Sequence, residues 1–196
     1  MTSSLNPAAS SPFGLPVLEQ PIPVSAAAMK LIARGIEHLW ARILAANAMA
    51  DSRPLLLSYD VHPSPEGPVR IEVNTNAGGV LTAIQAARHG NDCCADWQQG
   101  MLEDRLLALF RRDLLGDDAN MTGVVAIVDD QLASQPLLAE MLAIADLMRP
   151  FAREVRVVDA AELSFGDGRL QHAGVPIDRI YWRSTDFLLT APEPAP

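Results

Sequence analysis

Residues 71–79 read Ile-Glu-Val-Asn-Thr-Asn-Ala-Gly-Gly, a polar strand pattern that ends in a glycine pair. Apolar and polar residues alternate from 71 to 75, which predicts a β-strand with Ile71 and Val73 on one face. The other face then carries three oxygen donors, which are Glu72, Asn74 and Asn76. Carboxylate and carboxamide oxygens are hard ligands that suit Mg²⁺ and the phosphates it carries. The alternative interpretation is a solvated strand face that runs into a loop.

The glycine pair, Gly78 and Gly79, allows a sharp turn and a close approach of the backbone to a ligand. A helical pattern follows over residues 80–90, so the amides of its first turn would point toward the polar end of the strand. A helix start attracts anions because its amides are free and its dipole is positive there. We therefore expect an anion site beside the polar strand.

This strand is predicted to be the second arm of a β-hairpin. An apolar run over residues 54–60 and a Ser-Pro-Glu-Gly turn at 64–67 precede it, and the chain returns over 69–75. In such an antiparallel pair, Ser58 and Asp60 would lie across the ladder from the oxygen donors. The alternative for Asp60 is that it only closes its strand.

The second half of the chain has an α/β pattern. After a predicted hinge at 116–120, buried parallel strands are expected over residues 124–128, 155–158 and 179–183, separated by a helix over 135–149 and a small hairpin across 166–168. Asp129 and Asp130 follow the first of these strands, at the sheet edge that faces the ligand crevice in open α/β folds. A solvated loop is the favoured interpretation for these two carboxylates.

Composition excludes several classes of function. The formal net charge of −9 argues against nucleic acid and against an anionic membrane surface as partners. The sequence has no apolar run of transmembrane length and no signal-peptide pattern, so we expect a cytoplasmic protein.

Residues 1–23 and 191–196 are proline-rich, which predicts a disordered arm and tail. A helix is predicted from the N-cap Ser25 to about residue 49, with a core-facing stripe at Ile32, Ile36, Leu39 and Ile43.

The motif Glu-x-Asn followed by two glycines resembles the magnesium-binding strand of ATP-grasp ligases. The longer run IEVNTNAGG is similar to the matching stretch of the eukaryotic-type glutathione synthetases and of related bacterial ATP-grasp proteins. The resemblance implies the N-terminal part of a circularly permuted ATP-grasp enzyme, with residues 24–115 in a partial ATP-grasp region that holds the metal strand. Residues 118–190 would then form a Rossmann-like, substrate-binding parallel sheet. Glu72 and Asn74 would bind Mg²⁺, and Gly78 and Gly79 would lie against the nucleotide.

The second half adds to this resemblance. An apolar strand, an acidic loop with glutamine, a helix, a Gly-Asp-Gly hairpin and a strand that ends in Arg-Ser-Thr-Asp-Phe occur in the order of the family's substrate-binding domain. By that resemblance Arg183 contacts a carboxylate of an amino-acid or peptide substrate, for which its planar fork is suited. Further substrate contacts implied in this way are Ser58, Asp60, Asn76 and Gln135. The alternative for Arg183 is a salt bridge to Asp186.

The resemblance implies an ATP- and Mg²⁺-dependent carboxylate–amine ligase, but one residue count limits this interpretation. Of the 15 basic residues only Lys30 is a lysine, whereas the family holds ATP phosphates with lysines and a glycine-rich lid. We therefore expect a partial ligase that is not active alone. The alternatives are a non-catalytic amino-acid or peptide-binding module, and a fragment completed by a partner that supplies the ATP-binding half. Self-association is a further way to cover the apolar surface that the missing half would leave.

Overall fold

The structure, a computed structural model, describes residues 9–10, 16–17, 24–46, 55–75, 77–89, 99–116 and 122–185. It is a mixed α/β protein in which helices accompany small sheets, and one of these sheets is parallel with three strands. The chain divides into two compact units, which are described separately. We call Gln20–Gly78 the helix–hairpin unit, and Met1–Glu19 together with Gly79–Pro196 the sheet unit.

The strands and helices are numbered along the chain. The strands are β1 (Ala9–Ser10), β2 (Pro16–Val17), β3 (Ser58–His62), β4 (Val69–Asn74), β5 (Thr122–Asp129), β6 (Ala152–Asp159), β7 (Leu163–Gly166), β8 (Arg169–His172), β9 (Val175–Pro176) and β10 (Arg179–Trp182). The helices are α1 (Ala26–Ala45), α2 (Val80–His89), α3 (Gln99–Phe110) and α4 (Leu138–Met148). β1 and β2 form a short antiparallel pair within the region predicted as an arm.

The helix–hairpin unit follows the predicted local structure. The Ser25 hydroxyl accepts the amide of Ala28 at 3.1 Å, so Ser25 is the N-cap of α1 as predicted. β3 and β4 are antiparallel, and the backbones of Ser64 and Gly67 exchange hydrogen bonds of 3.2 and 3.0 Å across the predicted turn. The predicted hairpin is therefore confirmed.

The register of this hairpin contains one irregularity. Asp60 pairs with Glu72 but Val61 pairs with Arg70, so Ile71 has no partner across the ladder. The extra residue interrupts the ladder at this point, and Ile71 is 67% exposed while Val73 is half-buried. The two residues, which were predicted to share one face, therefore differ in their exposure.

Little of the helix–hairpin unit is buried. No residue of α1 is buried, and the stripe that was expected to face a core is only half-buried. Among the described residues of this unit, Ala77 is the one buried apolar residue. The apolar surface of the helix and the hairpin is therefore only partly covered.

The sheet unit is built on the parallel sheet, in which β5 lies between β10 and β6. One face of β5 carries Val124, Ala126 and Val128, which form a core with the small antiparallel sheet of β7, β8 and β9 through Leu163 and Ile177. The opposite face is covered by helices. There Tyr181 of β10 packs edge-on against Phe110 of α3, with 5.6 Å between the ring centroids. The predicted parallel strands are confirmed.

The boundary between the units lies between residues 78 and 79, whereas the sequence predicted a hinge near 116. The physical reason is packing, since α2 and α3 each bury apolar side chains within the sheet unit, namely Leu81, Ile84, Leu106 and Phe110. The predicted hinge loop at 117–120 and the tail at 191–196 lie outside the described residues. In the part of the chain that the structure describes, no helix is both long and apolar enough to cross a membrane.

Candidate functional site

Most of the buried polar side chains lie at one edge of the parallel sheet. Among the described residues, the buried polar or charged ones are Asp129, Glu140, Arg183 and Ser184. Asp129 ends β5, and Arg183 and Ser184 follow β10 directly. Burial of a polar group is unfavourable unless partners satisfy it, so three such groups at the ends of two adjacent strands mark a polar site. We call Asp129, Arg183 and Ser184, together with Asp130, Gln135 and Tyr181, the carboxyl-edge cluster.

Strand pairing explains why residues far apart in the chain meet here. β5 and β10 are parallel, with Tyr181 opposite Ile127 and Trp182 opposite Val128. The Arg183 amide continues this ladder, since it donates to the Val128 carbonyl at 2.7 Å. The carboxyl ends of parallel strands lie at the same sheet edge, and this brings Arg183 next to Asp129.

Arg183 is 7% exposed and has partners on its own strand. Its Nη1 donates to the Tyr181 hydroxyl at 3.1 Å, and its guanidinium carbon lies 5.5 Å from the centroid of that ring. Burial raises the pKa of the Tyr181 hydroxyl, while the nearby Arg183 charge lowers it by a smaller amount. The planar guanidinium is therefore positioned by the ring and the hydroxyl of Tyr181.

The carboxylate of Asp129 lies near enough to Arg183 for the two charges to interact. Burial raises the pKa of Asp129, and the Asp130 amide, which donates to Oδ1 at 2.8 Å, and the Arg183 charge act in the opposite direction. The sequence favoured a solvated loop for Asp129, and the structure corrects this because the side chain is only 7% exposed.

Three further hydrogen bonds connect the members of the cluster. The Ser184 hydroxyl donates to Oδ2 of Asp130, which connects the end of β10 to the end of β5. Gln135 Nε2 donates to the Asp130 carbonyl at 2.6 Å and to Asp129 Oδ1 at 3.3 Å. Between them Gln131 has φ +47°, a left-handed conformation that is uncommon for a residue with a side chain.

A third carboxylate at this edge has a structural role. Asp159, at the end of β6, accepts the Leu132 amide at 2.7 Å and the Ala161 amide at 3.0 Å. It forms a capping box with Glu162. Both carboxylate oxygens thus fix the loop after β5 and the turn after β6, and this anchors Asp130 and Gln135.

Glu140 of α4 supplies the anion at the start of α2. Its Oε2 accepts the Gly79 amide at 2.7 Å, and its Oε1 accepts the amides of Leu81 at 2.6 Å and Thr82 at 3.4 Å. Gly79 has φ +82°, so a glycine is needed here as expected. The predicted anion site at the helix start is therefore held by a carboxylate of the chain itself, and a role for Gly78 and Gly79 in nucleotide binding stays a prediction.

The polar face of the hairpin has the predicted composition. Ser58 pairs with Asn74 and Asp60 pairs with Glu72, so these four side chains share one face. Asn74 Nδ2 is 3.4 Å from Asp60 Oδ2, and Glu72 is exposed. Asn76, the third predicted donor, lies outside the described residues.

The structure thus brings the predicted residues together in two groups. Arg183 and Gln135 lie in the carboxyl-edge cluster, whereas Ser58, Asp60, Glu72 and Asn74 lie on the hairpin face. Sequence reasoning missed Glu140, Tyr181 and Ser184. For Glu140 a signal was present, because it lies four and eight residues before the buried Ile144 and Met148, on the apolar face of α4.

Scans against protein-family models and searches of curated proteins and of solved structures found no match to this chain. The relation to the ATP-grasp ligases therefore stays a prediction from the sequence.

Proposed function

We propose that this chain is the substrate-binding part, with the magnesium strand, of an ATP-dependent carboxylate–amine ligase of the ATP-grasp type. The observation that supports this most is the carboxyl-edge cluster, in which a buried arginine lies close to the buried carboxylate of Asp129 at the end of a parallel sheet. Its ligand would be an amino acid or a small peptide.

The position of the cluster is that of a ligand crevice in open α/β sheets. From β5 the chain passes through α4 to β6 on one side, and β10 lies on the other side of β5. Ligands bind in such folds outside the carboxyl ends of the strands, where the strand order reverses. Asp130 and Ser184, which hydrogen-bond to each other, flank this point.

The charges of the cluster suit a ligand with both a carboxylate and an amine. The Arg183 fork would take the carboxylate in two parallel hydrogen bonds. Asp130, which is half-buried, would accept hydrogen bonds from an ammonium group. Gln135 is positioned by the Asp130 carbonyl and offers its amide oxygen beside them. An amino acid or the amino-acid end of a peptide matches this pattern, whereas a ligand with carboxylates only would meet Asp129 and Asp130.

The hairpin face suits a divalent cation. Asp60 and Glu72 face each other directly across the ladder, and like charges in that position are unfavourable without a counter-ion. Glu72 and Asn74 would hold Mg²⁺ through their oxygens, as the resemblance implies. Mg²⁺ would neutralise charge on ATP phosphates during phosphoryl transfer.

Nucleotide turnover would need groups from elsewhere. Lys30 is the single lysine of this sequence, so the phosphate-binding lysines of the family would come from another segment or chain. The same observation favours the second candidate, a binding module that keeps the amino-acid site without turning over ATP.

Calorimetric titration of amino acids, dipeptides and their amine-only and carboxylate-only analogues into the chain tests the ligand site. We expect saturable binding of ligands that carry both groups. The near-isosteric Asp130→Asn should weaken binding about tenfold to a hundredfold, because a hydrogen bond to a charged group contributes about 1.5–3 kcal/mol. Arg183→Lys should abolish carboxylate recognition, while Arg179→Lys, an exposed change at the start of the strand that precedes Arg183, should not. Lack of binding by every ligand would refute the proposal.

Titration of Mg²⁺ with ATP tests the metal strand separately. Glu72→Ala should remove any saturable binding, while Glu66→Ala, an exposed carboxylate at the turn of the same hairpin, should leave it intact. Amino-acid binding without Mg-ATP binding would favour the binding module over the ligase.

A further inference from the structure

The helix–hairpin unit leaves an extended apolar surface uncovered. Among the described residues, six of the nine large apolar side chains that remain exposed belong to this unit: Val24, Met29, Leu31, Leu44, Val69 and Ile71. A single helix and a two-stranded hairpin are each marginally stable in water unless their apolar faces are covered. This unit therefore needs a further surface against which to pack.

Helix geometry shows how the uncovered surface is arranged on α1. Successive residues are 100° apart, so Met29 and Leu44 lie along one border of the half-buried stripe and Leu31 lies along the other. The apolar surface is thus wider than the strip that the chain covers. Contact with its own hairpin includes Arg70, whose Nη1 donates to the Gly35 carbonyl at 3.2 Å.

The two parts of the unit carry opposite charge. The helix has three basic residues and one acidic residue, namely Lys30, Arg34, Arg42 and Glu37. The hairpin from β3 to β4 has three acidic residues and one basic residue, namely Asp60, Glu66, Glu72 and Arg70. In a chain with a net charge of −9, α1 is a basic apolar helix and the hairpin is an acidic surface with exposed Val69 and Ile71. The helix of one copy of this unit is therefore complementary in charge to the hairpin of another copy.

We infer that this unit is a dimer interface, in which α1 of one copy packs on the hairpin of a second copy. A two-fold axis makes the contact twice, because each copy contributes one helix and one hairpin. The contact covers the exposed apolar side chains on both elements and places the basic residues of α1 against the acidic residues of the hairpin. Self-association through this surface does not depend on a ligand at the carboxyl-edge cluster.

Sedimentation velocity of the full chain over a wide concentration range measures the association directly. We expect a monomer–dimer equilibrium that Leu31→Glu with Leu44→Glu weakens by roughly a hundredfold, since two charges would be buried in the interface without partners. The matched control is Phe165→Glu, which alters a side chain that is 76% exposed in the sheet unit and should leave the dimer unchanged. A monomer at every concentration would overturn the inference, as would a dimer that only Phe165→Glu disrupts.

Charge reversal tests the helix-on-hairpin arrangement. One variant carries Lys30→Glu and Arg34→Glu, and the other carries Glu66→Lys and Glu72→Lys. Each alone should be monomeric, because like charges would meet in both contacts. An equimolar mixture should form a heterodimer, since a negative helix then meets a positive hairpin, and a positive helix meets a negative hairpin. All of these side chains are exposed, so folding is retained and circular dichroism can verify it. A mixture that stays monomeric would exclude this arrangement.

Discussion

The two units of the molecule place their polar groups in opposite environments. In the sheet unit Asp129 and Arg183 are buried at the edge of a packed parallel sheet, and Glu140 is buried against the start of α2. In the helix–hairpin unit Glu72 and Asp60 are exposed on a strand pair with little buried core. The buried residues are positioned by the fold of their own unit. The exposed pair lies on the face to which the proposed Mg²⁺ and the proposed second copy are assigned.

The largest contrast between the units should appear in the effect of apolar truncations. Phe110→Ala in the sheet unit removes a fully buried ring and should lower the free energy of unfolding by about 3–5 kcal/mol. Ile71→Ala in the hairpin removes a side chain that is mostly exposed and should change it by less than about 0.5 kcal/mol in the monomer. Urea unfolding followed by circular dichroism measures both. Equal costs would mean that the hairpin is packed as tightly as the sheet.

The next largest effect concerns Glu140, whose carboxylate accepts the first amides of α2. Glu140→Gln should destabilise the chain by about 2–3 kcal/mol, because charge-assisted hydrogen bonds of a buried group are lost. Asp146→Asn is the matched control, since Asp146 is an exposed carboxylate on the same helix. Thermal and urea unfolding of both variants decide the point. A Glu140→Gln variant as stable as the control would show that the amides do not need this anion.

Much of the local structure could be predicted from the sequence. Periodicity, the N-cap Ser25 and the glycine-containing turns located α1, the hairpin and the parallel strands, because these signals depend on neighbouring residues. The unpaired Ile71 could not be predicted, since one extra residue in a strand leaves the alternation on either side intact.

The composition of the candidate site was less accessible to sequence reasoning. Arg183 and Gln135 were named through a resemblance, but the burial of Asp129 depends on β10 and on helices far away in the chain. The Glu140 carboxylate accepts the amide of Gly79 at the start of α2, and the two residues are 61 positions apart in the sequence. No local sequence pattern predicts a contact between residues so far apart. The division of the chain between residues 78 and 79 has no local signal either, since the packing of α2 and α3 within the sheet unit is a long-range effect.

A smaller and more diagnostic effect comes from one substitution made in each unit. At Gly123 in β5 an added Cβ would overlap the Asp178 carboxylate, so Gly123→Ala should cost about 1–3 kcal/mol. At Gly35 in α1 the nearest atom would be Arg70 Nη1 at 4.0 Å, so Gly35→Ala should stabilise by about 0.5–1 kcal/mol through helix propensity. Urea unfolding of the two variants should therefore give opposite signs. If Gly123→Ala lowers the free energy of unfolding by the same amount in a chain that also carries Asp178→Ala, the overlap with Asp178 does not cause the destabilisation.

The smallest expected effect is on the pH dependence of the sheet unit. The Val124 amide and then Arg169 hold the pKa of Asp178 below its usual value, with hydrogen bonds of 2.7 and 2.6 Å. A carboxyl with a lowered folded pKa stabilises the fold above its unfolded pKa of about 3.9 and loses that contribution as the pH falls through the folded pKa. The stability difference between the unchanged chain and Asp178→Asn should therefore be largest near neutral pH and shrink in acid. Urea unfolding at a series of pH values measures it, and a difference independent of pH would contradict this assignment.

The most direct test of ligand binding by the sheet unit is an amide NMR titration of the isotopically labelled chain with amino acids and dipeptides. We expect saturable shifts at residues 129–135 and 183–185, around the carboxyl-edge cluster, and no comparable shifts at 58–74 unless Mg²⁺ and ATP are added. In the Asp130→Asn variant, loss of the shifts at residues 129–135 and 183–185, with the rest of the spectrum unchanged, would assign the binding site to the carboxyl-edge cluster. Absence of saturable shifts at the cluster with every ligand would contradict the proposed function.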